Sequence, residues 1–208
     1  MLNYSPTVHI VDDDDAVRNS LSMSLTVEGF NVKEFPSATS FLEQYRNQPG
    51  CLILDMQMPS MSGLDLQTIL KEKQIDIPLI FITGHGDVSS SVQAMKSGAT
   101  DFIEKPFSKK NIISSIRNAL KIDYEQQARK QSKQQVQERY ALLTSREKEV
   151  MMLLTQDLAK LTNQQVAEKL GISKRTIEVH RSSIMAKMLA HTRAELVEFA
   201  KACNLTNE

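Results

Sequence analysis

Asp12, Asp13, Asp55, Thr83 and Lys105 are the residues of this 208-residue chain whose types and placement suit phosphoryl chemistry. Each falls where a predicted strand should end. Asp12 and Asp13 come after Val8-His9-Ile10-Val11, Asp55 after Cys51-Leu52-Ile53-Leu54, Thr83 after Leu79-Ile80-Phe81-Ile82, and Lys105 after Asp101-Phe102-Ile103-Glu104. In an open α/β sheet, ligand chemistry collects at the carboxyl ends of the strands, near the point where strand order reverses. Three carboxylates brought within about 5 Å of one another repel by roughly 3 kcal/mol per pair at an effective dielectric near 20. A divalent cation removes that conflict, and Mg²⁺ accepts carboxylate oxygens, waters and phosphate oxygens together. Asp55, kept ionised, can then attack phosphorus and become an aspartyl phosphate. Lys105 can pair with phosphoryl oxygens and the Thr83 hydroxyl can donate to one.

Taken singly, these residues have plainer uses. Asp14 and Asp15 start or cap the first helix, and Asp12 or Asp13 alone could do the same. Thr83 alone reads as a turn hydroxyl and Lys105 as a surface charge. Their joint placement at four strand ends is what points to one shared site.

The elements that must position them alternate through the first 120 residues. Apolar runs predict strands near 7–11, 31–35, 51–54, 78–82 and 101–104. Helix-period segments fall near 15–28, 37–47, 63–73, 87–97 and 108–120. This pattern predicts a doubly wound α/β fold: a parallel five-stranded sheet with helices on both faces. From Phe107 to Leu170 there is no Gly or Pro. The last helix of the first unit is therefore expected to continue as a polar helical linker over 121–143, rich in Gln, Lys, Arg and Glu and about 35 Å long if fully helical. Ile122, Arg129, Val136 and Leu143 recur every seven residues, but polar partners between them favour a solvated linker over a coiled coil.

Residues 144–208 read as an all-α unit of four short helices. Thr144/Glu147, Thr162/Gln165 and Thr192/Glu195 have capping-box spacing, and the fourth helix starts at Ser173, just after Gly171. Two short helices meeting at a Gly turn make a helix–turn–helix. With Ile177 at zero on a helical wheel, Ile184 and Met188 share its buried stripe. Arg175, Glu178, Val179, Ser182 and Ala186 lie opposite, a face of small and polar side chains fit for base edges in a major groove. Lys174, Arg181 and Lys187 flank it within reach of phosphates. A solvated face of a small bundle is the plainer alternative.

Net charge is zero but unevenly spread. Residues 1–120 carry 10 basic against 14 acidic side chains, 121–143 carry 5 against 3, and 144–208 carry 10 against 8. An acidic first unit fits a cation site, and a mildly basic last one permits nucleic acid. The two cysteines, Cys51 and Cys203, fall in different predicted domains, which suggests a reducing compartment rather than a disulfide scaffold. No apolar run approaches membrane-spanning length, so a soluble, cytoplasmic protein is expected.

Residues 6–120 resemble the receiver domain of two-component response regulators. The matching segments are VDD at 11–13, LDMQMPSMSG at 54–63, ITGHGD at 82–87 and EKPF at 104–107. The resemblance implies Asp55 as phosphoacceptor, with Asp12, Asp13, Asp55 and the Gln57 backbone carbonyl as Mg²⁺ ligands. It implies Thr83 as switch hydroxyl, Phe102 as switch aromatic, Lys105 as phosphate partner, and a cis Lys105-Pro106 bond. Gln57 and His85, two residues beyond Asp55 and Thr83, would flank the attacking water and tune phosphoryl lifetime; His85 reads equally as an exposed loop histidine.

The C-terminal segments TSREKEVMMLL and TNQQVAEKLGISKRTIEVHRSSIMAKM resemble the LuxR-type helix–turn–helix. The pairing of the two units resembles the NarL/FixJ subfamily, and its FixJ/StyR branch fits best. The implied domains are a receiver at 1–120, a helical linker at 121–143 and a DNA-binding domain at 144–208. The implied protein is a non-enzymatic transcription regulator. A sensor histidine kinase would phosphorylate Asp55, a homodimer would form, and paired half-sites of double-stranded DNA would be bound, with RNA polymerase a further partner. Two alternatives stay open. One is a phosphohydrolase of the haloacid dehalogenase type, using Asp12 and Asp14 as a D-x-D pair; the other is a DNA binder that ignores phosphorylation.

Overall fold

The computed structural model describes residues 4–84, 95–155 and 161–203. Two compact units are formed, one up to Ala128 and the other from Arg129.

In the first unit five parallel strands, β1 (Thr7–Val11), β2 (Asn31–Phe35), β3 (Gly50–Asp55), β4 (Leu79–Thr83) and β5 (Asp101–Glu104), lie in the order β2-β1-β3-β4-β5. The central strands β3 and β4 are buried along their whole length, as continuous apolar runs must be when helices cover both faces. Side chains alternate between two cores. Leu52, Leu54, Val11 and Phe81 face one side with Phe41 and Leu66. Cys51, Ile53, Val8 and Ile80 face the other with Leu21, Leu25 and Ile116. Helices α2 (Ala38–Gln44) and α3 (Gly63–Glu72) cover the first face, and α1 (Asp15–Val27) with the start of α4 (Lys109–Ala141) covers the second.

Each expected strand is present within a residue of its expected bounds. α2 is shorter than the expected 37–47, because Tyr45 leaves helical geometry at φ −70, ψ 135. The helix expected near 87–97 falls almost wholly outside the described residues. Helix α4 runs unbroken for 33 residues, so the receiver's last helix and the expected linker are one element. Its solvated stretch, 129–135, is exposed at every residue.

In the second unit α5 (Ser145–Thr155), α6 (Asn163–Leu170), α7 (Lys174–Met188) and α8 (Arg193–Ala202) close on a core of Val150, Leu154, Val166, Ile177, Ile184, Met188 and Leu196. Val136 and Leu143, from the end of α4 and the turn after it, join this core. Gly171 ends α6 at φ 63, ψ 33, a left-handed conformation that a side chain resists. Ser173 then caps α7 through the Thr176 N–H. Thr162/Gln165 forms a reciprocal capping box. Glu195 departs from that pattern, its carboxylate reaching past Thr192 to the His191 N–H at 2.8 Å. Arginines close three helix ends: Arg146 donates to the Leu170 carbonyl, Arg193 to Leu154 and Arg139 to Met188. Cations are favourable at these carbonyl-rich termini.

Candidate phosphoryl site and nucleic-acid interface

Strand order reverses between β1 and β3, the place where crevices form in such sheets. Asp12 follows β1 there and Asp55 ends β3. Asp12 is 3% exposed and Asp55 9%, whereas Asp13 is exposed. One carboxylate oxygen from each of the three lies within 4.8 Å of the others. Lys105 Nζ bridges the pair, 2.9 Å from Asp12 Oδ2 and 3.5 Å from Asp55 Oδ2. Thr83 is buried at the end of β4, and its carbonyl accepts the Lys105 backbone N–H at 2.7 Å. The Lys105-Pro106 bond is cis. Four strand ends therefore converge as the spacing implied.

The electrostatics suit a cation. Burial holds the Asp55 carboxyl above its ordinary range, and the charge of Asp12 adds to this, against the pull of Lys105 and the Gln57 N–H. Burial alone would lower Lys105, but its contacts with Asp12 and Asp55 outweigh it and raise the ammonium's pKa. One lysine thus serves two carboxylates and leaves an excess of negative charge. A hard divalent cation with an oxygen donor set is what this chemistry takes.

Gly63 lets the site close. It opens α3 beneath β3, and a Cβ there would stand 2.5 Å from the Asp55 carbonyl oxygen and 2.9 Å from the Phe81 ring. Phe102 is partly buried against the adjoining core, and Gln57 is exposed two residues beyond Asp55. His85 lies outside the described residues. The neighbouring acids are sorted by role. Asp14 Oδ1 accepts from the N–H groups of Ala16 and Val17 as the cap of α1, the plainer use expected of it. Asp15, itself exposed, pairs with the enclosed Arg18.

The expected DNA-facing residues are also sorted by α7. Ile177, Ile184 and Met188 are buried, while Lys174, Arg175, Glu178, Val179, Arg181 and Ser182 are exposed. Val179, an apolar side chain, is 63% exposed. Lys187 departs from expectation. Its ammonium lies 2.7 and 2.9 Å from the two carboxylate oxygens of Glu147, which also accepts from Ser183 Oγ at 2.6 Å. Burial would raise the Glu147 carboxyl, yet Lys187, Ser183 and Thr144 hold it down at about 2. Lys187 is committed to the bundle because a buried carboxylate needs a counter-charge. Sequence reading found Glu147 as a cap and missed this second duty. Arg18 and Asp123 were missed outright: both look like ordinary helix-surface charges in sequence, and their partners come from other elements.

Residues 8–117 match the response regulator receiver domain family, and residues 141–200 match the bacterial regulatory proteins of the luxR family. The chain belongs to the response regulators. The transcriptional regulatory protein FixJ of Rhizobium meliloti (strain 1021) is 45% identical over 199 residues, covering 94% of this chain and 95% of that one. Response regulator protein TodT of Pseudomonas putida is 41% identical over 198 residues, covering 95% and 86%. Among solved structures, response regulator StyR superposes with a TM-score of 0.82 at 40% identity, covering 95% of this chain and 98% of that one. A response regulator that joins a receiver to a LuxR-type DNA-binding unit is a regulator of transcription. No helix among its described residues is long and apolar enough to cross a membrane.

Proposed function

We propose that this response regulator works in the cytoplasm, taking a phosphoryl group onto Asp55 from a sensor histidine kinase, and that the phosphorylated form dimerises and binds paired DNA half-sites. The observation that carries the reading is Asp55 at the strand-order reversal, beside Asp12 and within 3.5 Å of Lys105. An Asp55 carboxylate oxygen attacks phosphorus; the new O–P bond forms as the P–N bond of a phosphohistidine breaks and imidazole departs. Asp12, Asp13, Asp55 and the Gln57 carbonyl would hold Mg²⁺, which would supply neutralisation of the negative charge gathered there. Lys105 transfers its pairing from the carboxylates to a phosphoryl oxygen, and Thr83 donates its hydroxyl to another. Phe102 follows inward and reshapes the surface beside β5. Gln57 and His85 set how readily water reaches the acyl phosphate.

Joined in a dimer, two DNA-binding units act at raised effective concentration. Lys174 and Arg181 supply phosphate contacts, and Arg175, Glu178, Val179 and Ser182 face the bases. RNA polymerase is the expected downstream partner. The test is intact-mass analysis and DNA binding with acetyl phosphate and Mg²⁺. Wild type should gain about 80 Da, the mass of one phosphoryl group, and bind DNA more tightly. Asp55→Asn should do neither. Equal mass gain in both proteins would remove Asp55 from the role.

A further inference from the structure

Asp12 is held at every polar atom. Its N–H reaches the Phe35 carbonyl at 3.4 Å, its Oδ1 accepts the Asp14 N–H at 2.9 Å, and its Oδ2 accepts Lys105 at 2.9 Å. That leaves the backbone carbonyl, which lies just past the end of β1 in a residue only 3% exposed. Arg18 fills it, NH1 donating to Asp12 O at 2.7 Å. The same guanidinium pairs with Asp15 and stands 3.8 Å from Glu34 Oε2 on β2. Glu34 is in register with Ile10 of β1, so one planar fork joins α1, the β1 exit and the neighbouring strand. The Arg18 side chain is 11% exposed against 80% for Asp15, far more enclosed than a surface ion pair requires.

We propose that Arg18 is a positioning residue for the cation and phosphoryl site, fixing the Asp12 peptide so that its carboxylate faces the crevice. The inference rests on the phosphoryl-site reading above. Only arginine supplies donors in a rigid planar array, so it can satisfy a carbonyl and two carboxylates at once; a lysine offers a single flexible ammonium. Partners that orient ligating groups typically change metal affinity by about 10–100-fold when removed.

The direction of the effect separates this role from a simpler one. A cation that merely sat near the acidic pocket would oppose Mg²⁺, so its loss would tighten binding. Loss of a positioning residue loosens it. In the full-length protein, calorimetric titration with Mg²⁺ alone should show Arg18→Met weakening affinity about tenfold or more. Arg18→Lys should recover part of that loss. Asp15→Asn, which removes only the exposed partner, should titrate like wild type. Unchanged or tighter Mg²⁺ binding in a folded Arg18→Met protein overturns the proposal, even if its melting temperature falls. Should Arg18→Met fail to fold, Arg18→Lys decides: affinity equal to wild type overturns it and a several-fold loss upholds it. Wild type that neither binds Mg²⁺ nor gains about 80 Da with acetyl phosphate would overturn the underlying reading, and this role with it.

Discussion

His9 shows what burial does to a titratable group that lacks a partner. It points from β1 into the rings of Phe35, Phe41 and Tyr45, at centroid distances of 5.9, 5.8 and 5.2 Å. It is 1% exposed, and neither ring nitrogen has a hydrogen-bond partner among the described residues. Burial, aided by the Lys33 charge, lowers its pKa to about 4. Asp55, also buried, keeps counter-charges close by and so retains a usable carboxylate; His9 has none and stays neutral. A depressed histidine stabilises the fold above its unfolded pKa, near 6.5. As pH falls below that value the unfolded chain takes up the proton first, and stability drops until the folded form also protonates near pH 4. The gap between the two values corresponds to about 3 kcal/mol lost across that window. His9→Leu keeps an apolar side chain and removes the titration. Urea midpoints between pH 7.5 and 4.5 should fall less steeply in that variant than in wild type, the carboxylates contributing equally to both. Parallel curves would show that His9 does not titrate with folding. The sequence disclosed His9 as a residue of the first strand, but not its surroundings, because those depend on which rings α2 brings against β1.

Helix α4 marks the division between what patterning discloses and what only packing decides. The strands were readable to within a residue because β1, β3 and β4 are compact apolar runs, and β2 and β5 fall where the alternation of strands and helices requires them. The helices α1, α6 and α7 start at side-chain caps visible in sequence. The five residues gathered at the crevice were readable for the same reason: a strand end is a fixed address once the strand is known. Asp123 is different. It sits among Gln, Lys and Glu in a stretch that reads as wholly solvated, yet it is 2% exposed. Its Oδ2 accepts from the Gly50 N–H at 2.8 Å and the Tyr4 hydroxyl at 2.9 Å, and its Oδ1 accepts from Gln127 at 3.1 Å. Gly50 begins the strand that Asp55 ends. The helix is thus tied to the base of β3 beyond residue 120, which is why the first compact unit runs to Ala128. Removing a charged acceptor and stranding a buried N–H costs about 3 kcal/mol. Asp123→Ala should therefore lower receiver stability by about that amount, and hydrogen exchange at the Gly50 amide should accelerate sharply. Asp123→Asn, which keeps one acceptor oxygen, should lose clearly less. Equal losses in the two variants would mean that the space, not the acceptor, is what matters.

The distribution of charge over the chain limits how a single DNA-binding unit can act. With Lys187 held by Glu147, the recognition helix α7 offers Lys174, Arg175 and Arg181 as exposed cations. Affinity for duplex DNA falls with salt as counterions are released, with a log–log slope of about −0.9 per neutralised phosphate. Three such cations per unit give a slope of about −3, and two units on one duplex give about −5. On the proposed function, joining the units is the route by which phosphorylation would strengthen binding, since nothing about α7 itself has to change. Fluorescence anisotropy titrations at a series of KCl concentrations test this without knowledge of the natural promoter, provided one duplex carries a selected half-site and another carries two. With acetyl phosphate and Mg²⁺, the slope on the two-site duplex should steepen from about −3 to about −5, while the slope on the single site stays fixed. Asp55→Asn should remain at the shallow value on both. A steepening on the single site would instead mean that phosphorylation exposes further cations within one unit, and the pairing of units would no longer account for the gain.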